Sequence, residues 1–231
     1  MRITYYGHAC FLVEMGNSKL LFDPFITYNQ KSQEAGVEID TIKPDYILLS
    51  HGHEDHIADV IHIANNSGAK VIAVYEVQQW FEKQGISGHG MNTGGKWNFD
   101  FGTVKMVNAI HSSMLPDGSY GGNPVGFVVS NETDGAFYYA GDTALTMDMK
   151  LIPLLCPKLD FCIFPIGDNF TMGYEDAVLA SNFVECNTIV GCHFDTFPPV
   201  EIDHDAAKKC FADAGKNFIL PQVGGSYIVG E

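Results

Sequence analysis

Hydrophobic residues along the chain fall into short runs separated by polar turns, and the first of these runs predict strands. Near the N-terminus the segments with the length and composition of short strands are 3–6, 11–14 and 19–22. Gly16-Asn17 supplies a turn between the second and the third, so we expect an antiparallel meander. Asp23-Pro24 ends the meander, and the polar segment 27–40 is typical of a loop or a short irregular insertion.

The next part of the chain alternates strands with helices. Segment 46–50 is a continuous apolar run, as expected of a strand with both faces covered. Apolar residues then recur at helical spacing and predict a helix that ends near 65–68: Ile57, Val60, Ile61 and Ala64. A buried strand at 70–74 and a helix at 77–83 follow, and Gly85 closes that helix.

The rest of the chain repeats both patterns. The glycine-rich segment 87–95 is typical of a loop. A second meander is expected in mid-chain, with strands at 97–101, 103–110, 125–130 and 136–140. Helices are predicted at 147–155, 174–183 and 205–214. Strands between and after them are predicted at 160–166, 188–192, 218–220 and 227–229.

This order of elements predicts the fold class. Two sets of strands, each followed by alternating strands and helices, indicate an α/β protein. We expect a four-layer αβ/βα sandwich, with two mixed sheets packed together and helices outside. The 231 residues show no composition break or linker, which favours a single domain over residues 1–231.

Charge limits the classes of partner. The chain has 28 acidic and 13 basic residues, a formal net charge of −15. Such a balance repels phosphate backbones, so nucleic acid is disfavoured and a small-molecule substrate is expected. Bound divalent metals would offset part of this charge locally, so a small anionic substrate stays open.

Cysteine use and hydropathy indicate the compartment. The six cysteines include no C-x-x-C pair, and several lie in apolar runs, where Cys packs as a small buried hydrophobe. We interpret them as reduced thiols. No run approaches the ~18 apolar residues that span a bilayer, so no membrane association is expected. The predicted location is cytoplasmic.

The most distinctive stretch of the sequence is Ser50-His51-Gly52-His53-Glu54-Asp55-His56. It places three histidines and two carboxylates within six residues, directly after a buried strand. Imidazole and carboxylate are the ligands that hold divalent transition metals such as zinc. We therefore predict a metal site here and interpret Glu54 as a solvent-facing spacer.

Three other residues occupy equivalent positions. His111, Asp142 and His193 each follow a predicted strand at its C-terminal end, where α/β sheets place their ligand-binding groups. One such residue alone would more often be structural. Four strand ends that all carry metal-type side chains predict a converging site.

The order H-x-H-x-D-H, a distant His, Gly-Asp-Thr and a final His resembles the metallo-β-lactamase superfamily over nearly the whole chain. Within it the chain is more similar to bacterial metal-dependent hydrolases without an assigned substrate, near the ascorbate-6-phosphate lactonase branch. The segments that carry this likeness are Gly7-His8-Ala9, Asp23-Pro24-Phe25, His89-Gly90-Met91-Asn92, His111-Ser112-Ser113, Gly121-Gly122-Asn123-Pro124, Phe170-Thr171-Met172-Gly173 and Thr196-Phe197-Pro198-Pro199.

The resemblance implies two divalent metal ions per chain, with zinc preferred and manganese or iron as alternatives. His51, His53 and His111 would hold the first ion. The second would be held by Asp55, His56 and His193, with Asp142 bridging both. Metals in such pairs lie roughly 3.5–4 Å apart and lower the pKa of a held water towards ~7. The hydroxide so formed would attack a small ester, lactone or phosphoester.

Other residues receive roles by position or by resemblance. Asp55 and His8 are expected to be catalytic, His8 as a substrate contact or proton donor, against the alternative of a packed His near a strand end. Asp23 is expected to orient the ligand loop, against an ordinary turn residue. Further candidate substrate contacts are His89, Asn169 and Asp195. His62 and His204 are interpreted as surface residues, and Cys192 as a core residue.

Departures from the family pattern bear on the substrate. Asp195 stands where Asn is typical, and Asp168 replaces a frequent Gly. Both add negative charge near the site and make an anionic substrate less favoured.

Two other functions stay open. The same metals could serve a phosphodiesterase or nuclease acting on nucleic acid, or a non-catalytic metal-binding protein. The resemblance also allows a homo-oligomer.

Overall fold

Two seven-stranded sheets form the centre of the protein in a computed structural model that describes residues 1–230. In chain order the strands are β1 (Arg2–Gly7), β2 (Cys10–Met15), β3 (Ser18–Phe22), β4 (Tyr46–Leu49), β5 (Lys70–Val74), β6 (Gly88–Met91), β7 (Lys96–Phe99), β8 (Gly102–Asn108), β9 (Val125–Asn131), β10 (Gly135–Tyr139), β11 (Phe161–Pro165), β12 (Thr188–Cys192), β13 (Asn217–Ile219) and β14 (Ser226–Ile228).

Both sheets are mixed. The first has the order β14-β1-β2-β3-β4-β5-β6, antiparallel as far as β3 and parallel beyond it. The second has the order β13-β12-β11-β10-β9-β8-β7, with the antiparallel meander β7 to β10 followed by parallel strands. The two predicted meanders are confirmed.

Within residues 1–230, seven helices complete the layers. They are α1 (Gln30–Glu34), α2 (Glu54–Ile57), α3 (Val60–Ser67), α4 (Tyr75–Glu82), α5 (Ile152–Leu155), α6 (Tyr174–Phe183) and α7 (His204–Asp213), with short 3₁₀ turns at Ile39–Thr41, Met147–Leu151 and Pro198–Val200. Helices α3 and α4 cover the outer face of the first sheet, and α6 and α7 pack on the second. The four-layer αβ/βα prediction is confirmed.

The prediction that segment 87–95 is a loop is wrong in part, because the segment contains β6, which pairs in parallel with β5. Glycine makes this pairing possible. A Cβ on Gly88 would overlap the carbonyl oxygen of Val71, so any larger residue would push the edge strand away.

The helix predicted after the cluster, with its end near 65–68, is confirmed as α3, but Ile57 belongs to the separate helix α2 and not to the same helix as Val60, Ile61 and Ala64. Asp59 lies between α2 and α3, and its carboxylate accepts hydrogen bonds from the backbone N–H groups of Ile26 (2.6 Å) and Thr27 (3.0 Å). This long-range contact ties the break to the loop after β3. The helix expected at 147–155 likewise begins as a 3₁₀ turn before α5.

Aromatic residues between the sheets hold the two halves together. Phe22 of β3 is fully buried, and its ring centroid lies 5.8 Å from that of Phe137 and 4.7 Å from that of Tyr139 in β10. This packing sets the distance between the ends of β3 and β10, which carry residues of the candidate site.

We expect Phe22→Ala to lower the free energy of unfolding by about 3–5 kcal/mol, because the vacated space lies in a close-packed core. Urea denaturation measures the change. Leu154→Ala removes a 77 % exposed side chain and is the control, expected to change stability by less than about 0.5 kcal/mol. Equal losses in the two variants would contradict this account of the core.

Within residues 1–230 no helix has the length and hydropathy needed to cross a membrane.

Candidate metal centre

Four strand ends converge on one edge of the sandwich. The turn after β4 carries His51 and His53 and leads into α2, which carries Asp55 and His56. The stretch after β8 carries His111, and β10 and β12 are followed by Asp142 and His193. Residues from both sheets therefore meet here. The N–H of His193 joins the two sheets directly by donating to the carbonyl of His8, at 2.7 Å.

The first group of potential ligands is formed by His51, His53 and His111. One ligand atom from each lies within 4.8 Å of the others. The Nε2 of His51 is 2.9 Å from the Nδ1 of His53, a spacing at which both nitrogens can face a shared ion. Ser50 and Ser112 place their hydroxyls 2.9 Å from His51 Nδ1 and 3.2 Å from His53 Nε2.

The second group is formed by His8, Asp55, His56 and His193, again within 4.8 Å of one another. His8 Nε2 lies 3.1 Å from Asp55 Oδ2. Three of the four side chains are nearly inaccessible to solvent, whereas that of Asp55 is 31 % exposed. Asp55 is thus the member of the group that reaches the surface.

Asp142 lies between the two groups. Its Oδ2 is 3.0 Å from His193 Nε2, 3.3 Å from His56 Nε2 and 3.6 Å from His111 Nε2. The side chain is only 3 % exposed. One carboxylate thus contacts histidines of both groups.

Asp23 organises the cluster from beneath. Its carboxylate accepts hydrogen bonds from the Ser50 N–H (2.8 Å), the Ser50 hydroxyl (2.5 Å) and the Tyr139 hydroxyl (2.7 Å). It also lies 2.9 Å from His56 Nδ1, which leaves His56 Nε2 directed at Asp142. A buried carboxylate that fixes the tautomer of a ligand histidine is the usual support of a metal site.

Burial and mutual proximity keep several imidazoles neutral. Burial, reinforced by nearby His193, lowers the pKa of His8 to about 4. Burial is also the main cause of the lowered pKa of His51, His53 and His111. A neutral imidazole is the form that binds a metal.

At three groups of the cluster, neighbouring charges outweigh the effect of burial on the pKa. Burial disfavours the charged form of His56, but Asp142 and Asp23 outweigh it and raise the pKa of that imidazole well above its usual value. Burial likewise opposes ionisation of Asp142, yet His193 and His56 bring its pKa well below the ordinary range. Burial also opposes the ionisation of Asp55, but His56 and His8 outweigh it and lower the pKa of that carboxyl.

The buried donor set fits divalent metal ions. His56 Nε2 and Asp142 Oδ1 are buried and have no hydrogen-bond partner among the described residues, although buried polar atoms are normally paired. Three carboxylates meet six imidazoles here, with no Lys or Arg within hydrogen-bonding distance of the cluster in residues 1–230. Bound cations would coordinate the unpaired atoms and neutralise negative charge on the carboxylates.

The backbone at this edge is strained. His8 (φ 55°), Asp23 (φ 40°) and His193 (φ 53°) all adopt left-handed conformations that cost non-glycine residues about 1–3 kcal/mol each. The sequence contains no direct signal of this strain. The left-handed conformation turns each side chain sharply at the end of its strand.

Two adjoining cavities open over the cluster. One, of about 300 Å³, is lined by His53, Asp55, His111, Ser112, Asp142, Phe170, His193 and Phe197. The other, of about 450 Å³, is lined by Phe25, Tyr28, Glu54, Asp55 and Phe197. They share Asp55 and Phe197 and therefore adjoin, and the two cavities together are called the cleft.

Some predicted substrate contacts lie outside this lining. The ring of His89, on β6, packs against those of Trp97 (4.8 Å) and Phe99 (5.4 Å). Asp195 accepts a hydrogen bond from the N–H of Ile202 at 3.1 Å and pairs with His204. The exposed Asn169 adjoins Phe170, which does line the cleft.

The other sequence assignments can be placed as well. Glu54 is exposed and Cys192 is buried, as expected. His62 and His204 are about half exposed, and His62 pairs with Asp40.

Several residues of the site had no role in the sequence prediction. Tyr139 contacts Asp23, Thr196 lies 3.0 Å from His8 Nδ1, and Phe170 and Phe197 line the cleft. Thr196, Phe170 and Phe197 belong to segments that carry the family likeness, and this likeness was the signal in the sequence that could have identified them. Tyr139 lies in an apolar strand and looks like any core residue.

Comparison with known proteins gives a consistent result. Residues 2–193 match the family model described as Beta-lactamase superfamily domain. A UPF0173 metal-dependent hydrolase of Flavobacterium johnsoniae is 54 % identical over 226 residues, 98 % of this chain and 99 % of the relative. One of Methylacidiphilum infernorum is 49 % identical over 230 residues, 99 % and 100 % of the two chains.

Solved structures extend the comparison. Igni18, a metallo hydrolase from the archaeon Ignicoccus hospitalis, aligns with a TM-score of 0.86 and 31 % identity over 98 % of this chain and 97 % of its own. An isothiocyanate hydrolase from Delia radicum gut bacteria aligns with a TM-score of 0.78 at 18 % identity, covering 100 % of both chains. The second likeness concerns the fold alone.

Proposed function

The chain belongs to the metallo-β-lactamase superfamily of metal-dependent hydrolases, and from that premise we propose that it is a two-metal hydrolase of small esters, lactones or phosphoesters. The observation that supports this proposal is the position of Asp142 Oδ2, within 3.6 Å of histidines from both ligand groups.

The two groups divide the ligands. His51, His53 and His111 would hold one ion, and Asp55, His56 and His193 the other, with the carboxylate of Asp142 shared. Nitrogen and oxygen donors of this kind accept zinc, manganese or iron, and we propose zinc as the resident metal. When bound, such ions lower the pKa of water and polarise the oxygen of the substrate.

We assign the proton transfer to Asp55. Among the described residues its side chain has one hydrogen-bond partner, His8, which engages Oδ2, and it is the most exposed carboxylate of the cluster. In our proposal a water oxygen attacks the carbonyl or phosphoryl centre while Asp55 accepts the water proton. The bond to the leaving oxygen then breaks, and that oxygen takes the proton from Asp55.

His8 holds Asp55 in position. Its ring is buried between the hydroxyl of Thr196, 3.0 Å from Nδ1, and the carboxylate of Asp55, 3.1 Å from Nε2. The rings of Phe25 and Phe197 lie edge-on to it at 5.6 and 5.5 Å. This packing leaves the imidazole one orientation, in which Nε2–H donates to Asp55.

The net charge of −15 favours a small molecule over nucleic acid as the substrate.

Purified protein should contain about two divalent metal ions per chain, and their removal by a chelator should abolish hydrolysis of esters, lactones and phosphoesters alike. Elemental analysis and a substrate screen on one preparation measure both properties. Zinc, manganese and iron are added back separately as the control. Undiminished turnover by the metal-free protein would refute the proposal.

A further inference from the structure

The cleft over the metal-type ligands has aromatic walls. Phe170 and Phe197 line the cavity that contains His53, His111 and Asp142. Phe25 and Tyr28 continue the wall into the adjoining cavity. Pockets with apolar walls around a few polar groups are typical of sites for small, largely uncharged molecules.

The charged groups of the cleft are all acidic. Glu54, Asp55 and Asp142 line the two cavities, and no Lys or Arg is among the described residues that do so. Sites that hold phosphate or carboxylate groups normally supply Arg or Lys as hydrogen-bonding cations. The carboxylates of the cluster would also offset most of the charge of two divalent ions, so little attraction is left for an anion.

Phe170 is held over the cleft by an unusual turn. Asp168 (φ 58°) and Asn169 (φ 56°) are both left-handed, and Asp and Asn tolerate this conformation better than most residues. The N–H of Asn169 donates to Asp168 Oδ1 at 2.8 Å, and that of Phe170 to the Asp168 carbonyl at 2.6 Å. The turn leaves Phe170 55 % exposed beside a polar cluster, where its ring can cover a substrate.

We propose that the substrate is a neutral carboxylic ester or lactone with an aryl or alkyl group that packs between Phe170 and Phe197. This inference rests on the proposed hydrolase function and narrows it, because it excludes phosphoesters as the preferred class. Packing against the aromatic walls would position the carbonyl carbon over the metal-type ligands.

Three chromogenic substrates with the same leaving group test the substrate class: 4-nitrophenyl butyrate, 4-nitrophenyl phosphate and bis(4-nitrophenyl) phosphate. Each rate is divided by the uncatalysed rate, and only turnover that Asp142→Ala abolishes is counted. We expect the corrected kcat/KM of the butyrate ester to exceed those of both phosphates by at least about a hundredfold. A higher corrected value for either phosphate would overturn the inference.

Phe170→Ala tests the aromatic wall. We expect the KM for 4-nitrophenyl butyrate to rise about tenfold with kcat within twofold, since the lost contact is apolar burial of the bound substrate. Leu154→Ala removes an exposed apolar side chain outside the cleft lining and should change neither constant. An unchanged KM in Phe170→Ala would overturn the inference.

A binding measurement provides a readout besides turnover. Acetanilide is a neutral aryl amide that this site is not expected to cleave quickly, so its binding can be measured without turnover. NMR titration gives its dissociation constant. We expect this constant to rise about tenfold in Phe170→Ala. Near-ultraviolet circular dichroism verifies that the variant is folded. Phosphate turnover without ester turnover would overturn only this inference, whereas two-metal protein that turns over neither class would overturn the proposed function with it.

Discussion

Replacing Asp142 with alanine is expected to reduce the metal content from about two ions per chain to one or fewer and to lower kcat/KM at least about a thousandfold. The reason is its position, because Oδ2 contacts His56 and His193 on one side and His111 on the other. Without this carboxylate the histidines of the two groups lose their common partner. A thousandfold loss corresponds to about 4 kcal/mol of transition-state stabilisation. Elemental analysis and steady-state kinetics on the same sample measure both effects.

The control is Asp176→Ala, which removes an exposed carboxylate from the first turn of α6. It should retain both metals and full activity. Asp142→Ala with two tightly bound metals would show that the two groups do not depend on a shared carboxylate, and our assignment would then be wrong.

Asp23→Ala is expected to lower the free energy of unfolding by about 3–5 kcal/mol and to weaken metal affinity about 10–100-fold. Asp23 is fully buried and contacts Ser50, His56 and Tyr139 through four hydrogen-bonding atoms. Its removal leaves the N–H of Ser50 and the Nδ1 of His56 without their buried acceptor, while the hydroxyls of Ser50 and Tyr139 keep only His51 Nδ1 and the carbonyl of Ala9 as partners. It also frees the ring of His56, whose Nε2 is then no longer held towards Asp142.

Two measurements separate these effects: urea denaturation of the metal-free protein and competition with a chromophoric chelator. Tyr139→Phe is the graded comparison, since it removes one hydroxyl and keeps the ring that packs on Phe22. It should cost about 1 kcal/mol of stability with little change in metal affinity. If Asp23→Ala bound metal as tightly as the wild type, Asp23 would have no part in orienting His56.

Much of the fold could be predicted from local pattern. Helix α6 begins and ends at the predicted residues, and α7 differs by one residue at each end. The fully apolar strands β4 and β11 were recognisable because both of their faces are covered. The errors arose where a distant contact overrides local preference. Edge strand β6 forms because it can pair with β5. Helices α2 and α3 are separate because the carboxylate of Asp59, between them, accepts hydrogen bonds from the backbone of the loop after β3.

The sequence by itself determined the seven metal-type side chains and their placement at four strand ends. It could do so because hydrophobic runs mark the ends of strands, and α/β sheets place their ligand-binding groups at the carboxyl ends of their strands. His51, His53, Asp55 and His56 are also close in the chain, so their proximity hardly depends on the rest of the fold.

Only the tertiary structure decided which of these side chains touch and what surrounds them. The contacts of His8 with Asp55, and of Asp23 with His56, span 47 and 33 residues of chain. Both contacts join residues that follow strands of the first sheet, so they depend on strand pairing between distant parts of the chain. The contact of His56 with Asp142 depends instead on how closely the two sheets pack, which is set by side-chain volumes throughout the core and not by any local pattern. The same packing brings Phe170 and Phe197 over the ligands from different loops. The metal-type ligands could thus be identified in the sequence, whereas the apolar, cation-free cleft above them could be seen only in the folded protein.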